Sequence, residues 1–350
     1  MRGRPPVSAA QDRPAVAAAE PQAPAVVPRR RSRGISLALF LLGAAVLVAP
    51  AFLLSSFRLF QLTLAAGYAV AILGLNLVTG YNGQISLGHG AFYAVGAYAT
   101  AILMAHFDWP FWATLPVAAV VSGTLGYAIG FPALRLGGLY LALTTFSLAL
   151  AVPQLLKHKA VEEWTGGVQG LFIVKPDPPS FLPIEADQWL YLTTLAIAAL
   201  LFLLARNLVR GRIGRAMMAV RDHPVAAEAV GMDLAAVKTR TFAASAVLTG
   251  LAGSLGAVAV EFVAPDSFTL MLSITLFVGM VVGGVASIGG AVFGGLFIVF
   301  VPNLAESISK AAPGAIYGVL LILLLFVLPG GAAGLWRRAL ERRWRRDGGG

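Results

Sequence analysis

The feature that most constrains this chain is the number and length of its apolar runs. Ten can be marked, at residues 35–54, 59–79, 85–105, 111–131, 138–156, 188–205, 241–262, 269–288, 290–308 and 313–329. A helix needs about 20 mainly apolar residues to cross the hydrocarbon of a bilayer, and several of these runs reach that length. The whole chain is 58% apolar and 12% charged, against about 45–50% and about 25% in soluble domains. No Asp, Glu, Lys or Arg falls in the middle of any run. Long alternating segments, the mark of a membrane β-barrel, are absent from the sequence. The pattern predicts an all-α integral membrane protein of about ten apolar segments, some of them broken or re-entrant.

The charges orient those segments. The net charge is +10, and 20 of the 26 Lys and Arg lie in three stretches, 1–33, 206–240 and 337–346. All three flank apolar runs, as the positive-inside rule describes, and this placement points away from nucleic acid as a partner. Residues 1–34, rich in Pro, Ala and Arg, read as a disordered basic cytoplasmic tail. The run that follows is longer than the ~7–15 residues of a signal-peptide core, so it is expected to stay as a first span. Ten crossings put both termini in the cytoplasm, with residues 331–350 as a basic tail carrying WRRALERRWRR and residues 35–330 as the membrane domain. Segment 206–240 falls inside after six crossings. Segment 157–187 falls outside and sets Lys157, Lys159 and Lys175 against Glu162, Glu163, Asp177, Glu185 and Asp187. There is no cysteine, so no disulfide and no thiolate metal site can form.

Two runs carry unusual residues. Val278–Gly295 contains Gly279, Gly283, Gly284, Gly289, Gly290, Gly294 and Gly295. The GxxxG spacings 279/283 and 290/294 suit close helix packing. The other reading is a broken or re-entrant helix lining a pathway, since irregular backbone at membrane depth needs protein or water around it. Tyr81–Gly96 is glycine-rich and more polar, with Asn82, Gln84, Ser86 and His89. With Asn76 these are candidates for a pathway or gate, or for plain helix–helix hydrogen bonds. Ser86-Leu87-Gly88 and Ser287-Ile288-Gly289 hint at an internal repeat, as in many transporters.

The sequence offers no catalytic machinery. None of the five lysines sits in a G-x-x-x-x-G-K-[ST] loop, and neither HExxH nor G-x-S-x-G occurs. The four histidines have no clustered ligand spacing, so no catalytic residue and no metal ligand is assigned. A proton- or sodium-driven carrier usually needs an intramembrane ionisable or carbonyl site. The charges here stay near span ends, and energy would then come from another subunit.

Segment 206–240 has the composition of a docking surface. Gly211 and Gly214 permit a sharp exit from the preceding span, and Arg215–Arg221 suits a helix. Asp222 or His223 is placed to cap a second helix with Pro224 in its first turn. Val225–Val230 then forms a short helix stopped by Gly231, with Ala226, Ala227 and Ala229 as a flat face. An ordinary amphipathic interfacial helix would share several of these traits.

At this point the sequence resembles a known family. Val225-Ala226-Ala227-x-x-x-Gly231 is similar to the E-A-A-x-x-x-G coupling loop of ABC-importer permeases. GRIGRAMMAVRDHPVAAEAVGM (211–232) resembles the branched-chain amino acid permeases, the LivM-like group. Three more blocks agree in order, GYNGQISLGHGAFYAVGAYATAIL (80–103), LRLGGLYLALTT (134–145) and SITLFVGMVVGGVASIGGAVFGG (273–295). The likeness spans roughly residues 58–330. The chain departs from the pattern at Val225, His223-Pro224 and Phe146-Ser147-Leu148.

The resemblance implies a polytopic permease subunit in the plasma (inner) membrane that moves branched-chain or related amino acids. It implies two ABC ATPase subunits docked inside, a second homologous permease beside this one, a soluble binding protein outside and lipid all round. ATP would be used by the partner subunits, with no cofactor held by this chain. Gly214, Arg215, Arg221, Asp222, Ala226, Ala227 and Gly231 would belong to the coupling surface. Related systems carry urea or short amides. A self-contained secondary carrier is the rival from another class, and a membrane enzyme stands behind it.

Overall fold

The structure, a computed structural model, describes residues 43, 45–133, 138–308, 310, 313–327 and 330–334. Residues 1–47 and 48–350 form separate compact units. Of the first, only residues 43 and 45–47 are described, and they are helical. The expected tail 1–34 and most of the expected tail 331–350 therefore lie outside the described residues, as do the start of the first apolar run, residues 35–42 and 44, and the start of the 134–145 block.

The second unit is a helical bundle. Helix α1 is Pro50–Leu53. Helix α2, Ser56–Leu75, runs on without interruption into a π-helical turn, Asn76–Tyr81. Then come α3 (His89–Phe107), α4 (Phe111–Ala133), α5 (Gly138–Leu156) and the single turn α6 (Glu162–Thr165). Next are α7 (Ala186–Arg210), α8 (Arg212–Asp222), α9 (Pro224–Ala229) and α10 (Leu234–Val260). The chain continues with α11 (Leu270–Gly283), α12 (Ile288–Ile308) and α13 (Pro313–Val327). Among the described residues, six helices are long and apolar enough to cross a membrane, and two shorter apolar helices span Tyr140–Leu156 and Leu270–Gly283. The protein is a polytopic α-helical membrane protein.

Helix α10 occupies the centre of the bundle because its own surface is cut away. Helix α3 crosses it so closely that a methyl group on Gly96 would strike the Gly250 carbonyl, and one on Gly253 would strike the Tyr93 carbonyl. A methyl on Gly250 would strike Ser122 of α4, and one on Gly74 of α2 would come within 2.7 Å of the Thr249 hydroxyl. Helices without hydrophobic drive between them associate through such close backbone approach. Polar side chains along α10 bond its own preceding turn, Thr241 to the Val237 carbonyl at 2.7 Å and Thr249 to the Ser245 carbonyl at 2.9 Å. That lets hydroxyls stay buried without partners on other helices.

One end of the bundle is tied by a small polar and aromatic structure. Strands β1 (Leu171–Phe172) and β2 (Phe262–Val263) pair antiparallel, with Leu171 opposite Val263. Lys175 reaches Asp187 at 3.1 Å and Glu261 at 3.2 Å, and Lys157 pairs with Asp266. Phe107 stacks on Trp164 with ring centroids 5.9 Å apart. The segment expected outside, 157–187, is thus clasped to the ends of α3 and α10. Helix α7 starts there with a capping box between Glu185 and Gln188, which satisfies N–H groups a helix start leaves unpaired.

Helix limits differ from the apolar runs at several helix ends. Helix α7 continues to Arg210 and α10 begins at Leu234, so Lys238 and Arg240 ride on helical turns and not on a loop. Asp233 starts α10 early by accepting the Ala236 N–H at 2.9 Å, a cap that hydropathy does not register. Residues 82–88 are non-helical, and α3 starts only at His89. Residues 284–287 interrupt the run that was expected to continue to residue 288.

Candidate functional site

Asn76, in the π-helical turn that leads into the first interruption (82–88), holds the second (284–287). Its amide nitrogen donates to the Gly284 carbonyl at 3.3 Å and the Ser287 carbonyl at 3.0 Å, and its oxygen accepts the Ala286 N–H at 2.7 Å. Asn76 is the first residue of the π-helical turn, a geometry that recurs at functional sites. Gly80 must lack a side chain, because a Cβ there would overlap the Asn76 carboxamide oxygen and lie 2.6 Å from the Ala286 nitrogen. In the second break Gly284 sits at φ 118° and Ala286 at φ 56°. Positive φ is costly for alanine, and the Asn76 bond to its N–H helps to hold it.

The first break is anchored on three other helices. The Leu87 N–H donates to the Thr145 hydroxyl of α5 at 3.0 Å, and the Gly90 N–H donates to the Ser273 hydroxyl of α11 at 2.9 Å. The Ser245 hydroxyl of α10 donates to the Gly74 carbonyl at 2.6 Å, so it must accept from His89 Nε2, also 2.6 Å away. His89 Nε2 then carries the proton, and Nδ1 accepts from the Ser86 hydroxyl at 3.0 Å. The relay runs Ser86 to His89 to Ser245 to Gly74, with every member satisfied in the neutral tautomer. Phe92 and Phe242 face the ring edge-on at 6.1 and 6.3 Å.

Asn82 and Gln84 contrast with that order. Both are buried, and neither end of either carboxamide has a partner among the described residues. They flank Gly83, which adopts φ 71°. The turn is closed by the Gln84 N–H on the Val78 carbonyl at 3.0 Å and by the Thr79 hydroxyl on the Gln84 carbonyl at 3.0 Å. Of the five pathway candidates, Asn76, Ser86 and His89 make inter-helix or capping bonds, and Asn82 and Gln84 are buried without partners.

Between the end of α7 and the start of α10, segment 206–240 forms two short helices, α8 and α9, beside this site. Gly211 ends α7, and Gly214, read as part of the exit, is a buried turn of α8 pressed on the Val209 backbone. Arg215 is exposed and its guanidinium lies 3.4 Å from the Arg210 carbonyl. Arg221, also exposed, reaches across to the π-helical turn. Its Nη1 donates to the Gly80 carbonyl at 2.7 Å and its Nε to Asp222 at 2.8 Å. The hydrogen bond from Arg221 holds the exposed Asp222 carboxyl below its usual range. Neither residue considered for the cap makes one: His223 stands at the N-cap without a side-chain bond, while Asp222 is engaged by Arg221. Pro224 occupies the first turn as expected.

In α9 the alanine face divides. Ala227 is 4% exposed and packs inward, so it anchors the helix and is not part of a surface. Val225 and Val230 are 80% and 76% exposed, with Ala226 and Ala229 exposed between them. Gly231, at φ 84° with open space where a Cβ would stand, ends the helix.

The glycines of 278–295 serve both readings offered for them. Gly279 meets Gly294, and Gly283 meets Gly290, backbone to backbone, while Gly295 meets Ala65 and Ala69 of α2. Gly284 lies in the break. Gly289 is exposed with nothing within 4 Å of a Cβ, so it packs against nothing. Ser86 and Ser287 occupy like places, each in a break just before a helix and each accepting a backbone N–H, from Gly88 at 3.4 Å and Gly290 at 3.1 Å.

Sequence reasoning passed over Ser245, Thr145 and Ser273, and the bond from the exposed Arg221 to the Gly80 carbonyl. Isolated hydroxyls in apolar runs were the available signal. No group of three His, Asp or Glu that could hold a metal occurs among the described residues.

Comparison with known proteins agrees with this architecture. The profile of the family described as "Branched-chain amino acid transport system / permease component" matches residues 57–328. The chain is 31% identical to the high-affinity branched-chain amino acid transport system permease protein LivM of Salmonella typhimurium, over 87% of this chain and 76% of that protein. LivM of Escherichia coli gives the same identity and coverage. LivH of Escherichia coli, a permease protein of a high-affinity branched-chain amino acid transport system, is 28% identical over 78% of this chain and 92% of its own length. No solved structure matches. A helical membrane bundle with two broken segments and a helix pair beside them is thus joined to a match over most of the chain: this protein belongs to the branched-chain amino acid transport system permease family.

Proposed function

We propose that this chain is a permease subunit of an ABC importer for branched-chain or related amino acids. Two separate ATPase subunits dock inside, with segment 206–240 as this chain's coupling surface, a second homologous permease completes the pathway, and a soluble binding protein delivers substrate from outside. The chain lies in the plasma (inner) membrane with both termini cytoplasmic. It holds no cofactor, and ATP is hydrolysed by the partners.

The observation that carries this reading is α9. A helix of six residues exposes Val225, Ala226, Ala229 and Val230 together, an apolar patch too small to insert as a span and suited to a partner. It is held beside the two breaks through α8, so a force applied there reaches them. Closure of an ATPase dimer would push on α8 and α9 and reset the breaks, changing which side of the membrane the pathway faces.

The test is reconstitution of this chain with its co-expressed partners in liposomes. Uptake of radiolabelled leucine, isoleucine or valine is expected to require ATP and the binding protein. Competition with urea and short amides separates the related importers. ATP-independent uptake by this chain alone would overturn the proposal in favour of a carrier.

A further inference from the structure

The exposed basic residue that the sequence places in the coupling surface also reaches back to the membrane domain. Arg221 donates from Nη1 to the Gly80 carbonyl in the π-helical turn, and its stem lies on Gly83, where a Cβ would come within 2.6 Å of Arg221 Cγ. We propose that Arg221 is a transmission residue: it links the α8–α9 pair to both helix breaks, so that movement of the docking helices is converted into movement of residues 82–88 and 284–287. The proposal rests on the reading that separate ATPases dock on this segment, and extends it to a stated mechanical path.

The path can be followed atom by atom. Arg221 Nη1 holds the Gly80 carbonyl at 2.7 Å. Gly80 packs on the Asn76 oxygen and the Ala286 backbone so closely that not even a Cβ would fit between them, so a shift of Gly80 toward them must move them. Asn76 is fastened to the second break at three backbone groups, Gly284, Ala286 and Ser287. Through Gly83 the same arginine bears on the first break, whose far end is held by the Ser86–His89–Ser245 relay. Interior joints of this tightness have discrete arrangements and do not deform continuously.

Two further observations support motion at this joint. The turn Asn76–Tyr81 is a π-helix, which holds one more residue per turn than an α-helix. Relaxing it to α-helix would shift Gly80 relative to Asn76. Asn82 and Gln84 present four buried polar atoms without partners, an unusual density in native proteins. A second arrangement of 82–88 that pairs those amides would be favoured by their satisfaction, so the loop is poised to change. A guanidinium suits such a joint because its planar fork keeps direction as well as charge.

The experiment uses the full importer, with Arg221→Gln, Arg221→Lys, Asn76→Ala and the Arg221→Gln/Asn76→Ala double variant. Expected for Arg221→Gln is the wild-type ratio of co-purifying ATPase subunits and continued ATP hydrolysis, with uptake reduced about tenfold or more, the order expected from loss of a charge-assisted bond in the moving step. Arg221→Lys should recover part of the uptake. The double variant should transport no worse than the weaker single, because both residues act in one path. The chain has no native cysteine, so a spin-label pair at Ile213, on α8 and outside the α9 docking face, and Val285, both exposed, can report whether the two sites move together. Wild type should change that distance on ATP addition, and Arg221→Gln should not. Loss of the ATPase subunits from Arg221→Gln would overturn the proposal and return Arg221 to the docking surface. Multiplicative losses in the double variant, or unaltered uptake in Arg221→Gln, would also overturn it. Absence of any ATPase from the wild-type complex would instead overturn the proposed function on which it rests.

Discussion

Replacing His89 by Phe separates a structural histidine from a pathway ligand. The ring is fully buried, and its two nitrogens are used by Ser86 at 3.0 Å and Ser245 at 2.6 Å. Phenylalanine keeps most of the volume and the edge contacts with Phe92 and Phe242, so little cavity arises. On the Ser245 side one inter-helix hydrogen bond is lost, about 0.6 kcal/mol in membrane proteins, because that hydroxyl retains the Gly74 carbonyl. On the other side the Ser86 hydroxyl is left as a buried donor, at about 1–3 kcal/mol. Together the change costs about 2–4 kcal/mol, which lowers the melting temperature by several degrees. The assay is thermal unfolding of the detergent-solubilised chain, followed by fluorescence-detected size exclusion. Adding Ser86→Ala to His89→Phe removes the orphaned hydroxyl, and about 1 kcal/mol or more should return. Unchanged melting in His89→Phe, or a further full loss on adding Ser86→Ala, would refute the relay. A fall in uptake at unchanged stability would mark His89 as a pathway ligand instead.

Other consequences are open to direct measurement. Gly96→Ala should lower the melting temperature, by about 1–3 kcal/mol of overpacking, since its methyl strikes the Gly250 carbonyl, whereas Gly318→Ala, with nothing within 4 Å, should be neutral or slightly stabilising. Val225→Asp with Val230→Asp, on the exposed side of α9, should release the ATPase subunits while the chain elutes as a folded monodisperse species. Burial alone would lower the Lys175 pKa, but its bonds to Asp187 and Glu261 outweigh that and raise it. A raised folded pKa gives stability that is complete below the unfolded value near 10.4 and disappears as pH climbs through the folded one. Protease resistance of 157–187 should thus persist at pH 8 and fall above about pH 10.4. Lys175→Met should show the weakened clasp at every pH, at about 0.2–1 kcal/mol for each lost ion pair.

What the sequence made legible is what local pattern encodes. Hydropathy over about 20 residues marks α2, α3, α4, α7, α10 and α12, because lipid imposes that length whatever the partners. The breaks were visible as glycine and polar density at 80–96 and 278–295. Their purpose was not, since it depends on partners remote in sequence. Ser245 lies 156 residues from His89, and Gly284 lies 208 from Asn76. Helix α10 starts earlier than its apolar run because a helix continues past the hydrocarbon wherever a cap such as Asp233 permits. Arg221 and Arg215 carry the same charge and are both exposed, and only their partners, the Gly80 and Arg210 carbonyls, separate their roles. Ala226 and Ala227 are likewise identical in kind, and the turn of α9 exposes one and buries the other. Gly289 and Gly290 differ in the same way across the α11–α12 contact.

The central claim is that this chain moves solute only when driven by ATPases it does not contain. It is tested most directly by purifying the chain in mild detergent from its own membrane and identifying by mass spectrometry what accompanies it. The account predicts P-loop ATPases and a second hydrophobic permease in fixed proportion, released together by the Val225→Asp/Val230→Asp variant. A chain that is always isolated alone, and still transports amino acids in liposomes without ATP, would contradict it.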